Sequence, residues 1–420
     1  MLNNRPAKIR FRLGSEKLAD SAFFLYLCLP LIGMVFSKIL SIVGLSSLSK
    51  LAALFITYFP LVLLFGIQRK NRAFDFWVLL AFIVFFFAVT YAFHPEYRYW
   101  FMREDYGVLN YVLLPDNGLY IYLFIRLVND PKRILKVVKL SGWPMFAYYG
   151  WQLLNALSRG YWIDTSNRGY EIHLSYSLSL GYNVLLFALV FLYFALEEKK
   201  LSDWIGAFVG MLMILIGGSR GPFLDIAIFL VLYAFLKMER SRKKIIIIVN
   251  IIILTILMCL FYSYILAGIS LILDKLNISS RFITKLLNGT IVDDTGRGQI
   301  WETAIGMIKE NPLGYGAMGS RHVIGNLIYV GHPHQFFLEI LIDFGVIFGS
   351  IIIIMLFAGS VKIFARKDIG EWKGVFIIFF ARACQLLISL TYWHSIGLWG
   401  ALAVGMCIHF TSKRRKQIHG

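Results

Sequence analysis

Long apolar runs separated by short basic connectors leave this chain few possible folds. Runs such as Ala81–Tyr91, Asn183–Ala195 and Ile245–Leu260 are apolar on every face, not along one stripe. That is the pattern of helices that face lipid. In hydrocarbon, helices and closed barrels are the structures that satisfy their own backbone. The sequence predicts an all-α integral membrane protein with about twelve transmembrane helices. They are expected at 20–41, 48–67, 73–93, 106–126, 137–157, 174–196, 203–218, 221–237, 245–273, 335–363, 374–391 and 395–410. The fourth is expected to break or kink, because Pro115-Asp116-Asn117-Gly118 lies in its middle. Pro30 interrupts the first, and no small-residue cleavage site follows it, so that span reads as a retained signal anchor.

Charge distribution sets the orientation. The formal charge is +18, with only 16% charged residues among 420. With the N-terminus in the cytoplasm, every inside connector is basic, from Arg5, Lys8 and Arg10 to Lys413 and Arg414, as the positive-inside rule requires. The organisation that follows is a cytoplasmic tail at 1–19, a bundle of about nine spans at 20–273, an extracytoplasmic loop at 274–334, three spans at 335–410 and a cytoplasmic tail at 411–420. No separate basic domain exists, which argues against nucleic acid as a partner. The four cysteines lie in or beside apolar runs without metal-ligand spacing and read as packing residues. No internal repeat is evident, which counts against transporters built from two matching halves.

The polar stretch 274–334 is the second informative feature, because a loop this long between spans usually carries function. Within it, Gly298–Glu310 reads as an amphipathic helix with Ile300, Trp301, Ala304, Ile305 and Ile308 on one face. Thr295 is the expected cap and Asn311-Pro312 the stop. Such a helix is expected to lie on the outer membrane surface or to cap a cavity. The stretch ends in Gly331-His332-Pro333-His334-Gln335 as the next span begins. It also carries Arg281, Arg297 and Arg321. Imidazole beside guanidinium at a membrane surface suggests proton transfer next to an anion, with phosphate the favoured candidate.

Other groups carry two readings each. Arg220, in Gly217-Gly218-Ser219-Arg220-Gly221, either snorkels to the interface or clamps a diphosphate from a tight turn. Glu339, Asp343 and Arg382 fall within apolar spans, where charges are functional candidates or form ion pairs that lock helices. Tyr97-Arg98-Tyr99-Trp100-Phe101 is an interfacial aromatic belt or, more sharply, a sugar-stacking surface. Asp293-Asp294 reads as a solvated turn. No carboxylate or cysteine stands at metal-ligand spacing from the histidines.

At this point the chain resembles the O-antigen polymerase and O-antigen ligase family of bacterial inner membranes. Four motifs over about residues 205–355 carry the resemblance. They are Gly218-Ser219-Arg220-Gly221, Thr295-Gly296-Arg297 with Trp301 and Ala304, Asn311-Pro312-Leu313-Gly314-Tyr315-Gly316, and His334-Gln335 with Leu338-Glu339-Ile340-Leu341, Gly345 and Gly349. One departure is Phe348, where the ligase-type pattern has a small residue or Tyr. The N-terminal half shows no specific match.

The resemblance implies a GT-C-like membrane glycosyltransferase that polymerises undecaprenyl-diphosphate-linked repeat units on the periplasmic face, inverting and without a cofactor or metal. It implies His334 as base and Arg220 and Arg297 as diphosphate clamps. Arg281, Arg321, His332, Trp301 and Glu339 are then substrate-binding candidates. The implied partners are the lipid-linked oligosaccharide as donor and acceptor, membrane lipid, and a chain-length regulator and flippase of the same pathway. A ligase transferring the glycan to lipid A-core uses the same chemistry. A lipid-linked glycan flippase is the alternative from another class, and it would predict dispensable outside histidines.

Overall fold

The structure, a computed structural model, describes residues 14–67, 73–103, 106–165, 171–174, 177–218, 221–237, 242–261, 264–265, 267–268, 271, 275, 297–328 and 331–419. Among them, five helices are long and apolar enough to cross a membrane: Ser46–Gly66, Phe74–Phe93, Leu109–Val128, Ser179–Glu198 and Phe336–Ala365. The count becomes six if Ser15–Leu27 and Leu29–Ile42 form one span, bent by 70°. Pro30, in the first turn of the second of these helices, accounts for the break. Its ring lacks the N–H that would continue the preceding helix.

By length and composition, the described residues support a helical membrane protein, with six of the twelve expected spans meeting that measure when the bent pair is taken as one. Four expected spans correspond to the shorter apolar helices Leu201–Ile216, Gly221–Leu236, Ile248–Met258 and Ile396–Ser412. Another, expected at 374–391, is the helix Trp372–Ala383, followed by a tighter turn at Cys384–Leu387. The expected break in the fourth span is present. A wide π turn at Leu109–Leu113 and a 3-10 turn at Gly118–Tyr120 flank the Pro115–Asn117 stretch before helix Ile121–Val128 begins. A short antiparallel hairpin, Trp162–Thr165 against Glu171–Leu174, occupies a connector with no predicted structure.

One apolar cluster joins residues from Leu18 in the first helix to Ile408 in the last, so the N-terminal and C-terminal halves share a core. At one end of the bundle, buried charges are neutralised in pairs. Arg126 Nε lies 2.7 Å from Asp75, which also accepts from Tyr122 at 2.7 Å. Lys139 lies 2.6 Å from the fully buried Asp203, and Arg133 lies 2.8 Å from Asp20.

The opposite end is organised by a break in the helix Phe336–Ala365. Gly345 adopts φ 75° and ψ 170° inside it. A residue in that conformation cannot extend the helical hydrogen-bond ladder. The Asn311–Gly316 segment occupies the gap. Tyr315 N donates to Ile342 O at 2.7 Å, Gly316 N to Asp343 O at 3.1 Å, and Val346 N to Pro312 O at 2.8 Å. The backbones approach so closely that a Cβ on Gly345 would strike the Leu313 carbonyl, and one on Gly314 the Gly345 nitrogen. This docking fixes the C-terminal part of the polar stretch against the span.

Candidate functional site

The helix Arg297–Glu310 packs inward. Its buried residues are Ile300, Ala304 and Met307, and they join Ile324 and Ile342 in a second small core. The buried face is therefore rotated from the expected one. Met307 lies inside, while Trp301 and Ile305 are 36% and 43% exposed. Docking of Asn311–Gly316 onto the broken span sets that rotation, and periodicity alone does not contain it. Thr295, the expected cap, lies outside the described residues.

From this platform Trp301 Nε1 donates to the carbonyl of Pro333 at 3.1 Å. The bond holds the turn Gly331-His332-Pro333-His334, where Gly331 has φ 72° and His334 φ 52°. A non-glycine residue in the left-handed region costs roughly 1–2 kcal/mol, and such strain collects at functional sites. His332 helps to hold the turn. It is 1% exposed, and its Nδ1 accepts from the backbone N–H of His334 at 3.3 Å. The two rings lie 4.1 Å apart. Gln335 then caps the span, accepting from Leu338 N at 2.7 Å.

The charges around His334 are cationic. Burial lowers its pKa to about 4, and the positive charges of Arg297 and Arg321 add to the effect. Burial also lowers the pKa of His332 well below the ordinary histidine value, with His334 and Arg321 adding to the effect. Both imidazoles are therefore neutral at pH 7, the form that accepts a proton. The structure separates their surroundings. His332 is enclosed and committed to the backbone, whereas His334 is half-buried.

Arg321 is 1% exposed and stands behind the histidines. Its Nη1 donates to Tyr106 O at 2.8 Å, and its guanidinium lies 5.1 Å from the Tyr111 ring centre. Glu339 accepts from Thr391 Oγ1 and from Tyr392 N. Asp343 accepts from Tyr392 O–H at 2.6 Å and from Trp393 Nε1 at 3.2 Å. The expected ion pair with Arg382 does not form. Arg382 turns to Gln385 and the Tyr182 ring. Neutral donors thus hold both carboxylates, and the Thr391-Tyr392-Trp393 clamp was not singled out in the sequence. Three aromatic or hydroxyl residues beside an outer histidine were the available signal.

Of the eight site candidates, the structure brings His332, His334, Arg297, Arg321, Trp301 and Glu339 to one end of the bundle. Arg220 and Arg281 lie outside the described residues, as does Asp293-Asp294. The remaining outer histidines separate into pairs with tyrosine. His94 and His322 flank Tyr97, His173 stacks on Tyr161, and His394 stacks on Tyr111. The aromatic run 97–101 is mainly packing, with Tyr97, Trp100 and Phe101 buried and Tyr99 exposed. No group of three or more His, Cys, Asp and Glu converges among the described residues.

Two hollows adjoin this end. An apolar groove of about 2030 Å³ is lined by Phe336 and Phe337, two and three positions after His334, and by the 353–364 part of the broken helix together with Arg366. A smaller polar cavity of about 780 Å³ lies beyond Tyr111.

Residues 205–354 match the family model described as O-antigen ligase. This stretch contains the four motifs, and the match supports the O-antigen polymerase and ligase family without separating the two activities. No curated protein and no solved structure matches. The family implies a glycosyl-transfer enzyme of O-antigen and lipopolysaccharide biosynthesis, and with the apolar helices it indicates an integral membrane protein.

Proposed function

We propose that this chain, whose residues 205–354 match the O-antigen ligase family, is an inverting glycosyltransferase that polymerises undecaprenyl-diphosphate-linked repeat units on the periplasmic face. The observation that carries the proposal is His334: neutral, half-buried, held in a left-handed turn, and subject to the charges of Arg297 and Arg321. A base so placed removes the proton of an acceptor sugar hydroxyl. The freed oxygen forms a bond to the anomeric carbon as the bond from that carbon to the diphosphate oxygen breaks. The electron pair leaves with the lipid diphosphate, so no nucleotide is consumed. Attack opposite the leaving group inverts the carbon.

Arg297, whose charge acts on His334, is assigned the neutralisation of charge developing on the departing phosphate. Arg220 is assigned the same role by the family resemblance. Arg321, enclosed behind His332, supplies field and not contact, and Trp301 positions the His334 turn through Pro333. An anionic donor beside His334 offsets the two arginine charges and raises the basicity of the imidazole. The base therefore strengthens when the donor arrives. The apolar groove that opens at Phe336 suits a polyprenyl tail. In this reading the chain works with a flippase and a chain-length regulator of the same pathway, with both termini in the cytoplasm.

A second reading with the same site chemistry is ligation of the finished glycan to lipid A-core. One experiment addresses both. A cell deleted for the gene is complemented with wild type or His334→Ala, and its lipopolysaccharide is displayed as a ladder. Core bearing a single repeat unit in the deletion identifies a polymerase. Bare core with long lipid-linked chains identifies a ligase. Turnover of the purified His334→Ala protein is expected to fall by roughly 10²–10⁴. A normal ladder from well-expressed His334→Ala would remove the base and favour a transporter.

A further inference from the structure

The polar cavity beyond Tyr111 belongs to no motif of the family match, and most of its walls come from the N-terminal half. It measures about 780 Å³, within the usual range for ligand pockets of about 300–1,000 Å³. Tyr26 and Gly33 border it from the bent first helices, Lys50 from the next, Asp116 and Asn117 from the broken fourth span, Tyr149 and Asn183 from two further helices. Arg382, Gln385 and His394 close it from the C-terminal side. Amides, phenols and one guanidinium, set among aromatic rings, form the lining expected for a hydroxyl-rich ligand.

Two polar atoms in this lining lack a hydrogen-bond partner among the described residues. One is Nε of Arg382, a side chain 5% exposed whose Nη1 is bound to Gln385. The other is Oδ1 of Asp116, whose Oδ2 lies 3.0 Å from Lys50. Leaving a buried donor or acceptor unmet is costly, the more so for charged groups. A donor and an acceptor left open in one cavity fit a ligand that both accepts and donates, as sugar hydroxyls do.

The cavity also communicates with the site. The Tyr111 ring stacks on His394 with centres 4.8 Å apart, and the Arg321 guanidinium lies 5.1 Å from its centre. Tyr111 is thus a shared wall between the cavity and the His334 end.

We propose that this cavity is the acceptor subsite, and that it binds the oligosaccharide whose hydroxyl is presented past Tyr111 to His334. The inference rests on the glycosyl-transfer reading and adds the location of the second substrate. It also gives the N-terminal half a function that the family match leaves open.

The test uses the full chain in nanodiscs and a repeat-unit oligosaccharide released by mild acid from the lipid-linked glycan of the cell that makes the protein. Binding is followed by saturation-transfer NMR in wild type, Arg382→Gln, Asn183→Trp and His334→Ala. Asn183 is exposed to the cavity, so its replacement fills space without cutting into the core. Arg382→Gln and Asn183→Trp are expected to weaken oligosaccharide binding at least tenfold, while His334→Ala binds as wild type does. In turnover assays the Asn183→Trp variant is expected to raise KM for the acceptor and leave KM for the donor unchanged. Wild-type protein that binds no oligosaccharide, or Asn183→Trp protein that binds it normally, overturns the subsite. Retained binding with an active His334→Ala protein would overturn the catalytic reading and leave the subsite standing.

Discussion

The two ends of the bundle treat charge in opposite ways. At the end that holds Asp75, Asp203 and Asp20, each buried or half-buried cation meets a carboxylate within 3 Å, as Arg126 does with Asp75 at 2.7 Å. At the His334 end, Arg321 is held by a carbonyl and a tyrosine face, and Arg382 by an amide and another tyrosine face. Glu339 and Asp343 are nearby but are held by Thr391, Tyr392 and Trp393. Close ion pairing satisfies a charge and ends its usefulness. The field of Arg321 reaches His332 and His334. Charge at the first end is held in close ion pairs, while charge at the second acts on the two histidines.

The largest stability effect is expected at the first end. Arg126→Ala leaves Asp75 without its cation, and losing one partner of a buried pair costs about 3–5 kcal/mol. Thermal unfolding in detergent should show the loss, while turnover per folded molecule stays near wild type. A fall in that turnover equal to the fall in stability would erase the distinction between the ends.

Next comes the junction that builds the second end. Gly345→Ala places a side chain in a left-handed conformation, at a cost of about 1–3 kcal/mol, and drives a Cβ into the Leu313 carbonyl. Asn311–Gly316 should undock, and hydrogen exchange at Tyr315, Gly316 and Val346 should accelerate. Activity is expected to fall further than stability does. Unchanged exchange at those three amides would show that the break does not anchor the polar stretch.

The pH dependence sharpens the comparison further. Loss of the neutral imidazole governs the acid limb, so kcat/KM should fall as pH drops through about 4, where the free His334 titrates. The limb in kcat should lie higher, because bound diphosphate favours the protonated form. Arg297→Gln removes one of the cations that lower the pKa and should move the kcat/KM limb upward, toward the ordinary histidine value of about 6.5. A limb that stays in place after this substitution would detach Arg297 from the site.

The smallest effect is expected at Trp301. Trp301→Phe deletes the bond to Pro333 O and keeps the ring, a loss of about 1 kcal/mol. It should slow turnover several-fold by loosening the His334 turn, with little change in unfolding temperature. No change in turnover would assign the turn's stability to His332 alone.

Parts of this were legible in the chain itself. Runs apolar on every face specify helices in lipid because an unpaired backbone is too costly there. Pro30 and Pro115-Asp116-Asn117-Gly118 marked real breaks, since proline lacks the N–H a continuing helix needs. The grouping of His332, His334, Arg297 and Trp301 was readable from short-range motifs. Gly345 was visible as a residue and invisible as a hinge. Its conformation matters only because a segment about thirty positions upstream supplies the missing hydrogen bonds.

The sequence by itself determined the solvent of this protein and the stretch where its histidines and arginines gather. Periodicity, charge and motif spacing are local properties that survive without coordinates. Tertiary structure alone decided which histidine is enclosed and which faces the site, which face of the Arg297–Glu310 helix turns inward, and which carboxylates are already engaged. It also decided that a polar cavity forms from helices of the N-terminal half. These outcomes depend on contacts between residues far apart in the chain. Burial and hydrogen bonding, which tune each group, exist only once those contacts are made.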